Sequence, residues 1–454
     1  MTRRQLRWCA LFAALLLLLS ACGRDDDNGD GGGDNGDDVA AGDNGDDNGD
    51  DGGDGGDGDG GGSVDPDPGI TDDSVKLGAS YPLSGNASAY SVISNGAEAC
   101  FEAINDAGGV EMGDGVTRTI EYEILDDAYD PARATQNAQR LVEQEEVFAI
   151  INPLGTPNNT AIREYMNEQE VPQAFVATGA STWGALHEEF PWTIGWQPAY
   201  PTEAAIYGEF LQEEFSDGAT VAILSQNDDY GEDYVTGFEE SIEGSNIEII
   251  AHETYEVTDP TIDSQVTNLA GSEADVFFNV TTPRFAAMAI EAVGESSWDP
   301  LHLLNSVSNS TASVLEPAGI ENAEGVYSSA YLKDPADEQF ADDEAMVEYK
   351  ELAEEFGDFN PDDPFGVYGF AVCDTTVMVL EAMEEPTRQA FMDASRNLDT
   401  DLALALPGVR LQTSESDGDY FPIESMQLQQ FNDGSWELIG EVLSYEGATP
   451  VPEE

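Results

Sequence analysis

The chain is short of positive charge. Among 454 residues there are 15 Lys and Arg against 92 Asp and Glu, a formal net charge of −77. Phosphate binding needs clustered Lys and Arg, so this balance excludes a nucleic-acid binder and makes an anionic membrane surface a poor partner. Metal-ligating side chains are scarce too. There are 4 Cys and 3 His, and His187, His252 and His302 lack the spacing of a zinc or haem site. No G-x-S-x-G elbow, P-loop or H-E-x-x-H is present, and no pair of carboxylates stands out. The expectation is a non-enzyme with no catalytic residue, no metal and no cofactor. No mature stretch approaches the ~18 consecutive apolar residues of a membrane-crossing helix. Against these absences, hydrophobic residues make up 40% of the chain, enough for a packed core.

The amino terminus reads as an address. Arg3, Arg4 and Arg7 precede an apolar run from Trp8 to Leu19, too short to span a bilayer and suited to the h-region of an export signal. Leu19-Ser20-Ala21-Cys22 looks like a bacterial lipobox. Residues 1–21 are then a lipoprotein signal peptide and Cys22 the lipidated first mature residue; a plain cleavage site is the alternative. Residues 22–73 read as a tether, since Asp25 to Asp67 holds 17 Asp and no base. Such a run buries nothing, repels itself and is expected to be disordered and extended. It lacks the order and closing Glu of a calcium loop. The remaining residues, 74–454, still carry 73 acids against 11 bases. A folded domain this acidic repels itself unless salt screens it; a salt-loving host and a merely acidic exported protein both fit.

From residue 74 short β-rich runs alternate with amphipathic ones. Strands are expected at 75–81, 119–125, 148–152, 171–178, 220–225, 247–254, 276–280 and 301–304, with helices between them. Asp130 is placed to cap a helix opened by Pro131. Residues 426–443 read as a hairpin turning at Asp433-Gly434. The alternation implies α/β architecture with doubly wound parallel sheets, and about 380 residues with so many units argue for two domains. Ligands in such folds sit beyond the carboxyl ends of strands. The strand-end loops here hold hydroxyls, amides, glycines and a few aromatics, notably Tyr90, Thr156, Ala180, Ser181, Tyr230, Thr282 and Ser306.

At these same places the sequence resembles the branched-chain amino acid (Leu/Ile/Val-binding) family of ABC-importer solute-binding proteins, with its type I periplasmic binding fold. The residues that carry the likeness are Lys76-Leu77-Gly78 with Pro82-Leu83-Ser84-Gly85, Ile104-Asn105-Asp106-Ala107-Gly108-Gly109-Val110, Asp126-Asp127 with Asp130-Pro131, and Asp229-Tyr230-Gly231. The likeness implies two lobes joined by a multi-strand hinge and closing on a ligand, lobe I at 74–198 plus 333–410 and lobe II at 200–331 plus 411–448. By position it implies ligand contacts from Tyr90, Thr156, Ala180, Ser181 and Tyr230, and more weakly from Thr282 and Ser306.

Two departures bear on the ligand. Asn305–Ser310 holds no acid, whereas amino-acid binders of the family usually place a carboxylate there for the ammonium group, and a buried ammonium without a counter-charge is costly. Trp183 and Trp196 lie near the expected cleft and either widen it for an aryl ligand or pack the core. The implied solute is a branched-chain amino acid, an aromatic or organic acid, or an amide. The implied partners are an ABC permease and ATPase, with the membrane touched only through the lipid anchor, a monomeric chain, and a place outside the cytoplasmic membrane at the cell surface or in the periplasm. A ligand-sensing receptor domain would use the same cleft and is the alternative. Cys100 and Cys373 remain after export; an oxidising compartment permits their pairing, and two buried thiols are the alternative.

Overall fold

The computed structural model describes residues 64–451. The expected signal peptide, the lipidated Cys22 and the tether up to residue 63 lie outside the described residues. The last ten residues assigned to the tether are ordered, which corrects that boundary. Ile70 is buried, and the Asp67 carboxylate accepts from the Arg388 amide at 2.8 Å. The segment is also held by the Asp67 amide on the Pro386 carbonyl at 3.0 Å and by Arg118 on the Thr71 carbonyl at 2.6 Å.

Two sheets organise the chain. The first comprises β1 (Ser74–Tyr81), β2 (Val110–Glu111), β3 (Thr117–Asp126), β4 (Ala149–Ile151), β5 (Gln173–Val176) and β6 (Thr193–Gly195), in the order β2-β3-β1-β4-β5-β6. All its pairings are parallel except that of the edge strand β2. The second comprises β7 (Ala219–Gln226), β8 (Ile247–Tyr255), β9 (Val276–Val280), β10 (Leu301–Leu304), β11 (Tyr327–Ala330), β14 (Ser425–Asn432) and β15 (Ser435–Ser444), in the order β15-β14-β11-β10-β9-β7-β8. Its parallel part is β8 to β11, and β14 and β15 add antiparallel. The small pair β12 (Asp399–Thr400) and β13 (Leu411–Gln412) stands apart. Central strands are buried on both faces, as parallel sheets require; every residue of β4, β5 and β9 is buried.

The helices follow from local chemistry. In α1 (Ser91–Ala107) the apolar positions Ile93, Ala97, Phe101 and Ile104 face the core. In α2 (Pro131–Glu143) Asp130 accepts from the Ala132 amide at 2.8 Å, Pro131 takes the first position, and Ala134, Ala138 and Leu141 form the buried stripe. The others are α3 (Thr156–Glu168), α4 (Tyr200–Glu214), α5 (Asp229–Ser241), α6 (Asp263–Ala270), α7 (Pro283–Gly294), α8 (Glu344–Phe356), α9 (Pro364–Ala382) and α10 (Arg388–Ser395). Apolar α9 is mostly buried and lies against α1. A Cβ on Gly369 would fall 2.2 Å from the Ile93 carbonyl oxygen, so only glycine permits this approach. The same contact brings Cys100 and Cys373 together, and the two are joined as a disulfide.

The chain passes between the two α/β lobes at residues 196–199, at 331–333 and again before β14. The middle crossing is tied to a returning segment by a Leu332–Ala405 bridge and by the Lys333 amide on the Leu404 carbonyl at 2.9 Å. This lays the carboxyl ends of both sheets toward a common gap.

Candidate functional site

The gap encloses about 890 Å³ of atom-free space, part of it open to solvent. Eight aromatic rings wall it: Tyr90, Tyr129, Tyr200, Tyr230, Tyr331, Phe365, Tyr368 and Trp436. Tyr90 ends the 3₁₀ turn before α1 and meets Phe365 of α9 with ring centroids 5.4 Å apart. Tyr230 stands at the start of α5, where Asp228 accepts from the amides of Tyr230 and Gly231. Its ring meets Tyr200 edge-on at 5.1 Å. The Tyr230 hydroxyl is buried and has no hydrogen-bond partner, and burial holds its pKa well above the ordinary value, so it stays neutral and keeps its proton to donate. Gly155 lines the gap at the start of α3 with φ 96°; a Cβ there would fall 2.5 Å from the Tyr129 ring. The Tyr368 hydroxyl donates to Gln197 Oε1 at 3.0 Å.

Four of the seven sequence-derived positions lie on this wall: Tyr90, Tyr230, Thr282 and Ser306. The two aliphatic hydroxyls among them, of Thr282 and Ser306, are engaged within the protein. Thr282 pairs with Tyr255. The Ser306 amide and hydroxyl both donate at 2.7 Å to the two oxygens of Glu203. Thr156, Ala180 and Ser181 do not line this gap. Thr156 is buried with its Oγ1 2.6 Å from Thr178 Oγ1, and Ala180 is core. The Ser181 amide and hydroxyl bind the Asp233 carboxylate of the other lobe at 2.6 and 3.1 Å. Trp183 and Trp196 are buried behind the wall; Trp196 donates to Thr375 Oγ1 at 2.9 Å and backs Tyr368 edge-on.

Sequence reading missed most of the rings. Tyr129 follows β3 within the Asp126–Pro131 turn, so the strand-end rule reaches it. Phe365 and Tyr368 come from the first turns of α9, which no sheet strand immediately precedes, and Trp436 comes from the hairpin.

Charge is sparse on the wall. Lys333 is neutralised by Asp343 at 2.8 Å and also donates to the Ala403 carbonyl. Asp334 accepts from the Ala336 amide in its own turn at 2.7 Å; burial, with Asp337, Asp363 and Asp362 nearby, pushes its pKa up to about 6. Glu203 lies behind Ser306 and is fully spent: besides Ser306 it takes the hydroxyls of Tyr207 and Tyr234, each at 2.6 Å. Burial raises its pKa and those donors pull it back.

The lobes are latched across the gap. Besides Ser181–Asp233, Arg284 at the start of α7 donates to Asn86 after β1, and Asn86 donates to the Val257 carbonyl at 2.6 Å. Asp363, which caps α9, accepts from Ser310 at 2.9 Å and Ser313 at 2.5 Å. The arrangement is a closed form around a small chamber.

Residues 74–435 match the periplasmic binding protein family, which covers nearly the whole described fold. The chain belongs to that family. Its members are solute-binding proteins, not enzymes, and the family implies a place outside the cytoplasm. A leucine-, isoleucine-, valine-, threonine- and alanine-binding protein from Pseudomonas aeruginosa is 25% identical over 198 residues, 43% of this binding protein and 51% of that one. The match thus spans about half the length of the curated relative. A fatty acid ABC transporter substrate-binding protein from Thermomonospora curvata superposes with TM-score 0.71 at 21% identity, over 86% of this chain and 97% of that one. An ABC transporter solute-binding protein from R. palustris in complex with benzoate gives 0.68 at 18% identity, over 83% and 99%. These likenesses fix the type I periplasmic binding fold of this binding protein.

Proposed function

We propose that this binding protein is the extracytoplasmic solute-binding subunit of an ABC importer. It captures a small organic solute between closing lobes and hands it to a membrane permease and its ATPase. The observation that carries the reading is the latched chamber walled by eight aromatic rings, Tyr230 with its partnerless hydroxyl among them. The lobes are taken as 74–198 plus 333–410 and 200–331 plus 411–448, and Cys22 as the lipid attachment that holds them outside the membrane. Tyr90, Tyr230, Thr282 and Ser306 touch the solute, the aromatic faces hold its apolar body, and no covalent step occurs.

The mechanism is a population shift. The solute binds one lobe of an open form, the second lobe's contacts then favour the closed form, and the latches form only there. Micromolar affinity needs about 8 kcal/mol, within reach of a few aromatic contacts and one or two hydrogen bonds.

A thermal-shift panel of amino acids, aromatic acids, amides and amines in high salt tests the binding. At least one class raises Tm by mass action; a flat response across all four contradicts the reading. Deleting the gene in its host then abolishes uptake of the solute found. Unchanged uptake with an altered transcriptional response instead identifies a sensor.

A further inference from the structure

The stretch 305–310, after β10, presents no acid, and the nearby Glu203 has both oxygens saturated by four donors. Neither receives a cation. One acidic residue does line the chamber: Asp334, just past the middle crossing. Its surroundings are lopsided. Asp337, Asp362 and Asp363 lie close enough to disfavour its ionisation. The two ammonium groups of the region are committed elsewhere, Lys333 to Asp343 and Lys350 to Asp362 at 2.8 and 2.7 Å. Its own turn supplies one hydrogen bond, from the Ala336 amide. It shares the chamber wall with Tyr90, Tyr331, Phe365 and Tyr368.

We propose that Asp334 recognises a protonated amine on the bound solute, with the aromatic wall holding the apolar body beside it. This rests on the solute-binding reading and deepens it. A carboxylate with no cation partner in a partly desolvated, ring-lined chamber is costly by itself. A protonated amine restores neutrality there, and tyrosine and phenylalanine faces add cation–π attraction. An anionic solute would instead meet Asp334 with like charge, and the only ammonium group on the wall is already neutralised. The negative field of the chain also concentrates cations at its surface. The ammonium partner that the 305–310 stretch lacks is thereby supplied from the hinge side of the chamber.

The same amine chemistry occurs in simple amines and in α-amino acids, so the test uses both. Phenethylamine, phenylalanine, 2-phenylethanol and 3-phenylpropanoate are titrated by calorimetry into the wild type and into Asp334→Asn. Asparagine keeps the oxygen that accepts from Ala336 and removes only the charge. The expected result is binding of phenethylamine, phenylalanine or both, weakened at least tenfold in Asp334→Asn, with 2-phenylethanol changed less than twofold. Preference for phenethylamine identifies a simple amine and preference for phenylalanine an amino acid. Amine affinity unchanged in the variant, or 3-phenylpropanoate or 2-phenylethanol binding more tightly than both amines, overturns the assignment while leaving solute binding in place. No binding by either amine also overturns it; solute binding itself is then decided by the wider thermal-shift panel.

Discussion

At the residue scale the chamber separates side chains that touch its contents from those that shape it. We propose Tyr230 as the clearest of the first kind, because it lines the chamber and its hydroxyl is buried without a partner. Tyr230→Phe removes one hydrogen bond, worth about 1 kcal/mol, and is expected to weaken solute binding about fivefold; Tyr230→Ala also removes the ring and weakens it at least tenfold. Calorimetric titration checks both, and an unaltered curve removes Tyr230 from the site. Ser181 and Asp233 are of the second kind. Asp233→Ala deletes both acceptors of the Ser181 latch, so affinity is expected to fall several-fold although no solute contact is lost; faster dissociation by stopped flow, with association unchanged, is the signature. The sequence made Tyr90 and Tyr230 legible because each lies between a strand end and the helix that follows it. It gave no sign that Ser181 binds Asp233, because a loop hydroxyl reads alike whether it faces a solute or the opposite lobe. That choice depends on where α5 of the other lobe lands, which no local pattern encodes.

At the scale of elements, eight of the ten parallel strands were readable, but β6, β11 and the helices α8 to α10 were not. The helix at 263–270 and the strands at 276–280 and 301–304 fall as the periodicity sets them. The hairpin forms at its Asp-Gly turn, with φ 51° at Asp433 and 82° at Gly434. Phe365 and Tyr368 escaped notice because α9 is apolar on nearly all faces, and its period therefore marks no cleft-facing side. The Cys100–Cys373 bond fastens α9 to α1 across a sequence separation of 273. Replacing both cysteines by serine lengthens the effective unfolded chain and is expected to cost roughly 2–5 kcal/mol, read as a lower urea midpoint. An unchanged midpoint shows that the helix contact alone holds the pair.

For the whole molecule the governing fact is charge. Burial pushes Asp127 and Asp233 up to about 6 and Glu424 up to about 7. Each carboxyl therefore binds its proton more tightly folded than unfolded, and between about pH 4 and 7 the native state holds the extra protons. The contribution of these three carboxyls to stability is fullest below the ordinary carboxylate range and falls as pH rises through that window. General repulsion among the acids acts in the same direction. In dilute buffer Tm is expected to be higher at pH 5 than at pH 7.5, and molar salt should raise it more at pH 7.5 than at pH 5. A Tm that climbs from pH 5 to 7.5 without salt contradicts this. The composition made the repulsion legible; which carboxyls are desolvated required the fold.

The two-lobed trap is tested most directly by hydrogen exchange on the full chain with and without saturating phenethylamine, or whichever solute the thermal panel selects. The Ser181 amide is bonded across the gap to Asp233, and the Ser310 and Ser313 hydroxyls reach Asp363. Closure therefore predicts slowed exchange in peptides covering 179–184 and 308–315 when solute is added, with the outer helix α6 unchanged. Tight binding with unaltered exchange at both latches would contradict a protein that works by closing.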